Sequence, residues 1–170
     1  MDKILKLAYD EAVRGRDSGG IPIGSVLVKE GQVIGRGHNQ RVQKRDPMAH
    51  AEIDCLQNAG RIGSYKDTVL YSTLMPCYLC AGAVVQFGIK KVIVGESRTF
   101  SGAKQFMIDH GVEVIDLDDP GVVELQAERG FPLEAILEVL VAGVLGVHHL
   151  DGDVATLARC NGRGTVAPPE

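Results

Sequence analysis

The chain contains no tryptophan, and aromatic residues make up only 5% of it. Few rings are therefore available to stack successive bases of a nucleic-acid strand. Strong positive charge is also missing: the formal net charge is −4 and the isoelectric point is about 5.7. That balance argues against a polyanionic partner, which calls for a basic face. Cysteine is sparse at four residues in 170, too few for a disulfide framework in a domain of this length. Met1-Asp2-Lys3 opens no basic segment followed by a long apolar stretch, so no secretory leader is expected and a reducing cytoplasm is. The longest apolar stretch, Leu133 to Val147, is interrupted by Glu134, Glu138, Gly143 and Gly146; it is too short and too charged to span a membrane.

What remains is ordinary for a soluble globular chain: 45% apolar and 24% charged residues, enough for one domain with a core. Leu5, Ala8, Tyr9, Ala12 and Val13 follow helical spacing, and the helix is expected to end at Gly15 and Ser18-Gly19-Gly20. Ile21 to Val28, a turn at Lys29 to Gln32, and Val33-Ile34-Gly35 read as a hairpin. Gly24, Gly35 and Gly37 lie in or beside its strands, where glycine allows another backbone or a ligand to come close. Residues 41–45 read as a polar loop. Helices are expected over 50–58, 76–87, 101–110 and 121–129, with apolar strands at 69–74, 91–95 and 112–115 between them. This alternation predicts an α/β sandwich whose hairpin makes the sheet mixed.

The chemistry is concentrated in His50-Ala51-Glu52 and Pro76-Cys77-Tyr78-Leu79-Cys80. One imidazole and two thiolates make a zinc site whose fourth position stays open to water. Cys77 and Cys80 are three apart, on one face of a helix turn. Pro76 suits a helix start, and the positive end of the helix dipole favours the thiolate form. Glu52 is too near His50 to share a rigid tetrahedron but is placed to reach a water on the metal. Two blander readings compete: a redox Cys-x-x-Cys pair, and a closed structural zinc site with Cys55 as fourth ligand. Five residues along a helix turn Cys55 roughly 140° away from His50, and a structural site has no use for Glu52. His-x-Glu followed by Pro-Cys-x-x-Cys is also the pattern of zinc nucleobase deaminases, in which the glutamate moves protons and does not bind the metal. Asn39, after the hairpin, carries an amide able to donate to and accept from a heterocycle's edge, although a loop asparagine is most often a turn residue.

Further segments recur in order: Gly20-Ile21-Pro22-Ile23-Gly24, Gly35-Arg36-Gly37-His38-Asn39, Tyr65-Lys66-Asp67-Thr68, Leu70-Tyr71-Ser72-Thr73-Leu74, Gly88-Ile89 and Val94-Gly95-Glu96. With the two metal motifs they make the chain resemble the cytidine/deoxycytidylate deaminase superfamily, most closely its fungal-type cytosine deaminases. The resemblance implies a three-layer α/β/α sandwich around a five-stranded mixed sheet, a homodimer, and zinc on His50, Cys77 and Cys80. It implies Glu52 as the catalytic proton shuttle and a small nucleobase as substrate, most simply cytosine converted to uracil and ammonia in pyrimidine salvage. Asn39 then binds the pyrimidine edge, and Ile23, Leu74 and Phe100 wall the pocket. Met75 replaces a small residue of the family and alters the leaving-group end. The resemblance divides the chain into a deaminase domain over 1–120 and an atypical segment over 121–170. That segment lacks the family's closing helix with its tryptophan and aspartate, and assigns no role to His148, His149 or Cys160. The rival readings are a guanine or other purine-base deaminase, a tRNA adenosine deaminase, and a zinc-stabilised binding module without activity.

Overall fold

The computed structural model describes residues 1–128; the apolar stretch 133–147, His148, His149 and Cys160 lie outside the described residues. Helix α1 (Lys3–Asp17) starts at Asp2, whose side chain accepts from the N–H groups of Ile4 and Leu5. It leads to strands β1 (Gly24–Lys29) and β2 (Gln32–His38), joined by Glu30 and Gly31, both at positive φ (50° and 76°). Two such residues make the tight turn whose twist matches that of the flanking strands. After β2 come α2 (Arg41–Lys44), α3 (Ala51–Ala59), β3 (Thr68–Leu74), α4 (Tyr78–Phe87), β4 (Lys91–Glu96), α5 (Lys104–Asp109), β5 (Glu113–Asp116) and α6 (Pro120–Glu128).

The five strands form one sheet in the order β2-β1-β3-β4-β5. β1 is antiparallel to β2 and β3, whereas β3, β4 and β5 are parallel. Side-chain alternation gives the sheet two apolar faces. Leu27, Leu70, Val92 and Val94 meet Cys55 and Leu56 of α3, Ala81 and Val84 of α4, and Met107 of α5. Val26 and Val28 meet Leu5 and Ala8 of α1 and Val122 of α6. The expected three-layer α/β/α sandwich around a five-stranded mixed sheet is therefore what forms. The apolar packing continues past residue 120: Val122 and Leu125 of α6 are buried, and Gln126 Nε2 donates to Pro22 O at 2.7 Å. Among the described residues no helix is long and apolar enough to cross a membrane.

Three local expectations change. Helix α1 runs through Gly15, where a Cβ would stand 3.2 Å from Ile21 O, so this glycine serves close packing and not termination. Arg41 to Lys44 form one helical turn, stopped by Arg45 in the left-handed region. The α5 helix starts only at Lys104, because Ala103 N donates to Pro76 O at 2.9 Å and holds the preceding residues in a loop.

The hairpin glycines do admit a backbone. A Cβ at Gly24 would stand 2.5 Å from Ala12 N of α1, and one at Gly35 would stand 2.6 Å from Cys55 O of α3. Helices on both faces thus lie directly against the sheet, and α3 brings the His50-Ala51-Glu52 segment to its edge.

Candidate metal centre

His50 is the N-cap of α3, and Cys77 is the N-cap of α4. Both helices therefore present their N-terminal ends at one side of the sheet, beyond the C-terminal end of β3. His50 Nδ1 lies 3.5 Å from Cys77 Sγ and 3.5 Å from Cys80 Sγ, and the two sulfurs are 3.8 Å apart. A tetrahedral zinc with Zn–S near 2.3 Å and Zn–N near 2.0 Å requires edges of about 3.8 Å between sulfurs and about 3.5 Å from nitrogen to sulfur. The donor triangle fits zinc on distance and on donor type. Among the described residues no fourth His, Cys, Asp or Glu joins it, as a site open to solvent or substrate requires. Cys55 is buried in the core cluster on α3 and does not join the triangle.

Electrostatics prepare one of the two thiols for a cation. A hydrogen bond from Cys80 draws the Cys77 thiol down to about 4, with His50 adding to it. The same contact, with burial, pushes the Cys80 thiol well above its ordinary value, so the pair holds one thiolate at Cys77 and one thiol at Cys80. Burial lowers the His50 pKa, but the hydrogen bond and charge of Cys77 outweigh it and the net direction is up. Burial also pushes the Cys55 thiol up. In chelator-treated protein at pH 6, iodoacetamide is therefore expected to label Cys77 and leave Cys55 untouched, with added zinc protecting Cys77. Peptide mass spectrometry reads the outcome; labelling of Cys55 ahead of Cys77 would contradict it.

Glu52 sits in the first turn of α3 and is 4% exposed. Its Oε2 is 3.3 Å from Cys80 Sγ, and its Oε1 accepts from Ser72 Oγ at 3.4 Å. Burial raises its pKa, the Cys77 thiolate raises it further, and His50 opposes them. A carboxyl held above its usual range, beside a metal triangle, is suited to taking and returning a proton.

The remaining expected site residues lie at the same end of the sheet. Asn39 follows β2 and is 2% exposed; its backbone N–H donates to Ile23 O at 2.9 Å, and its Oδ1 accepts from Arg41 N at 3.2 Å. The turn role of that amide oxygen is thus real. Ile23 precedes β1, and the antiparallel register carried on from Ser25↔Ser72 sets it opposite Leu74. Leu74 is buried at the end of β3, and half-buried Phe100 lies in the loop after β4. Met75 is buried against Ala103 and Met107.

Two residues were not anticipated. Ser72, which meets Glu52, alternates with Leu70 and Leu74 on one face of β3, so the period of the strand was a usable signal. Asp54 is a buried hub: it accepts from Gln40 Nε2 at 2.8 Å, His38 N at 3.3 Å and Lys44 Nζ at 3.4 Å, tying the segment that bears Asn39 to α3. Nothing in the local sequence announces that role.

A three-layer sandwich with an open His-Cys-Cys triangle and a buried glutamate beside it defines a zinc-dependent deaminase centre. The sequence profile of the cytidine and deoxycytidylate deaminase zinc-binding region matches residues 1–96, and the chain belongs to that family. It is 42% identical over 129 residues to a cytosine deaminase of Candida albicans, covering 74% of this chain and 86% of that one. A solved structure from work on A-to-I editing by tRNA:A34 deaminases is 29% identical with a TM-score of 0.65, covering 71% of this chain and 96% of that one. A guanine deaminase from Bacillus subtilis is 36% identical with a TM-score of 0.51, covering 55% of this chain and 64% of that one.

Proposed function

We propose that this chain hydrolyses cytosine to uracil and ammonia. The observation that carries the reading is the likeness to the Candida albicans cytosine deaminase, which extends over 86% of that protein and 74% of this chain. Zinc held by His50, Cys77 and Cys80 supplies Lewis acidity that makes water a nucleophile near neutral pH. Glu52 takes the proton from that water as oxygen adds to the ring carbon bearing the amino group. It returns that proton to the ring nitrogen, then takes the second proton from the hydroxyl now on that carbon and gives it to the amine, which leaves as ammonia as the carbonyl forms. Asn39 meets the polar edge of the ring, and Ile23, Leu74 and Phe100 enclose its faces. A site built to pair a polar edge rejects a mismatched base by a factor of about 10⁴.

The second reading, deamination of adenosine in tRNA, is favoured by the likeness to the tRNA:A34 deaminase structure, 29% identical and covering 96% of that chain. The net charge of −4 opposes it, since a polyanion is bound by released counterions at a basic face. Zinc-loaded protein assayed against cytosine, cytidine, guanine, adenine and a tRNA anticodon stem separates these readings. Uracil formation from cytosine alone is the expected result; turnover of guanine or tRNA with none of cytosine would overturn the proposal. The homodimer belongs to the same proposal. Tyr78, Leu79 and Phe87 of α4 and Ile108 of α5 are exposed apolar residues on the outer layer, and sedimentation measures whether a second copy covers them.

A further inference from the structure

Among the described residues one fully buried carboxyl takes no part in the proposed reaction. Glu96 ends β4 and is 0% exposed. Strand alternation turns it to the same face as Val92 and Val94, the face covered by α3, α4 and α5. In the parallel register it stands beside Leu74, one strand away from a residue assigned to the pocket wall. Its Oε2 accepts from Thr99 N at 2.9 Å. Its Oε1 has no partner among the described residues. A buried oxygen without a donor costs folding free energy. A residue serving stability alone would here be apolar, as Val92 and Val94 are.

What Glu96 grips is the loop 97–103. Thr99, the residue it holds, directly precedes Phe100. The far end of the loop is fixed to the metal-bearing segment. Ala103 N donates to Pro76 O at 2.9 Å, next to Cys77. Gly102, at φ +54°, lies so close that a Cβ there would stand 2.5 Å from Pro76 O and 2.6 Å from Met75 Cγ. Phe100 therefore hangs between two ties, one to Pro76 and one to Glu96.

We propose that Glu96 is a positioning residue for the deaminase reaction: by accepting from Thr99 N–H it sets where Phe100 stands against the substrate ring, and so sets affinity for the base. The role rests on the proposed function through the assignment of Phe100 to the pocket wall. A wall that holds ground state and transition state alike changes KM and leaves kcat in place.

The test compares Glu96→Ala with Glu96→Gln in zinc-loaded protein. Glu96→Ala is expected to raise KM for cytosine about tenfold, with kcat within about threefold of the parent and zinc content unchanged. Glu96→Gln keeps an oxygen for Thr99 N–H and is expected to restore KM to within about threefold. A second readout needs no turnover. Phe100→Trp gives the chain its sole indole. Adding Glu96→Ala to that background is expected to shift the emission to longer wavelength, and adding Glu96→Gln is not. Should Glu96→Ala fail to fold, Thr99→Pro removes the donor from the other side and is expected to raise KM in the same way. A fall in kcat at constant KM, a Glu96→Gln variant as impaired as Glu96→Ala, an unmoved emission, or an unchanged KM in Thr99→Pro each overturns the role. If the parent protein turns over no cytosine, it is the substrate reading that fails, and the emission comparison still decides Glu96.

Discussion

Glu52→Gln is expected to lower kcat by about four orders of magnitude while the protein keeps its zinc. The substitution changes almost nothing but the proton chemistry. Glutamine has the same shape, and its amide oxygen still accepts from Ser72 Oγ, which stands 3.4 Å from Glu52 Oε1. Its amide N–H₂ then faces Cys80 Sγ, 3.3 Å from the present Oε2, and donates to that sulfur. Packing at this buried position is therefore kept, and the donor triangle of His50, Cys77 and Cys80 is not touched. What is lost is the group that accepts a proton from water and hands it on. A positioned acid or base contributes about 10² to 10⁴ in rate, and the upper end applies here because one carboxyl serves both the attack and the departure of ammonia. Metal analysis and product formation on the same preparation check the result. Loss of zinc from Glu52→Gln would make this residue part of the metal scaffold instead.

How much of this site was readable beforehand follows from how local each signal is. The zinc ligands were legible because His50 opens one helix and Cys77 and Cys80 share the first turn of another, with Pro76 beside Cys77 and Glu52 two residues after His50. The fitness of the 3.5 Å and 3.8 Å edges was not legible, since it depends on how α3 and α4 pack against β3. The strands were legible from their apolar runs, and their order follows from the hairpin and the crossovers. The loop 97–103 was not. A helix expected from Ser101 begins at Lys104, because the tie between Ala103 and Pro76 joins residues far apart in sequence. Asp54 and Glu96 stayed hidden for the same reason: a lone acid in a helix or at a strand end reads as a solvated charge. Its burial and its partners exist only once the layers close.

The largest expected structural effect comes from the smallest substitution. Gly37 lies in β2 opposite Ser25, and a Cβ there would collide with Cys55 N, stand 2.8 Å from the carbonyl carbon of Asp54, and stand 2.9 Å from Ala51 O. All three are backbone atoms of α3, so no flexible side chain can yield; the helix itself must move. Gly37→Ala is expected to destabilise the zinc-loaded protein by about 3 kcal/mol, the upper part of the usual range for overpacking. The displacement falls on the helix whose first residues carry His50 and Glu52. A misplacement of about 1 Å there is expected to lower kcat/KM by about 100-fold. Gly82→Ala supplies the opposite case within the same fold. Gly82 is inside α4 with nothing within 4 Å of an added Cβ, so the methyl group meets no wall and only the helix preference of alanine remains. That variant is expected to gain about 0.5–1 kcal/mol. Denaturant unfolding of the two variants against the parent gives both signs in one experiment. Equal behaviour of the two would show that α3 does not rest on Gly37, and the close approach of helix to sheet would no longer account for where Glu52 stands.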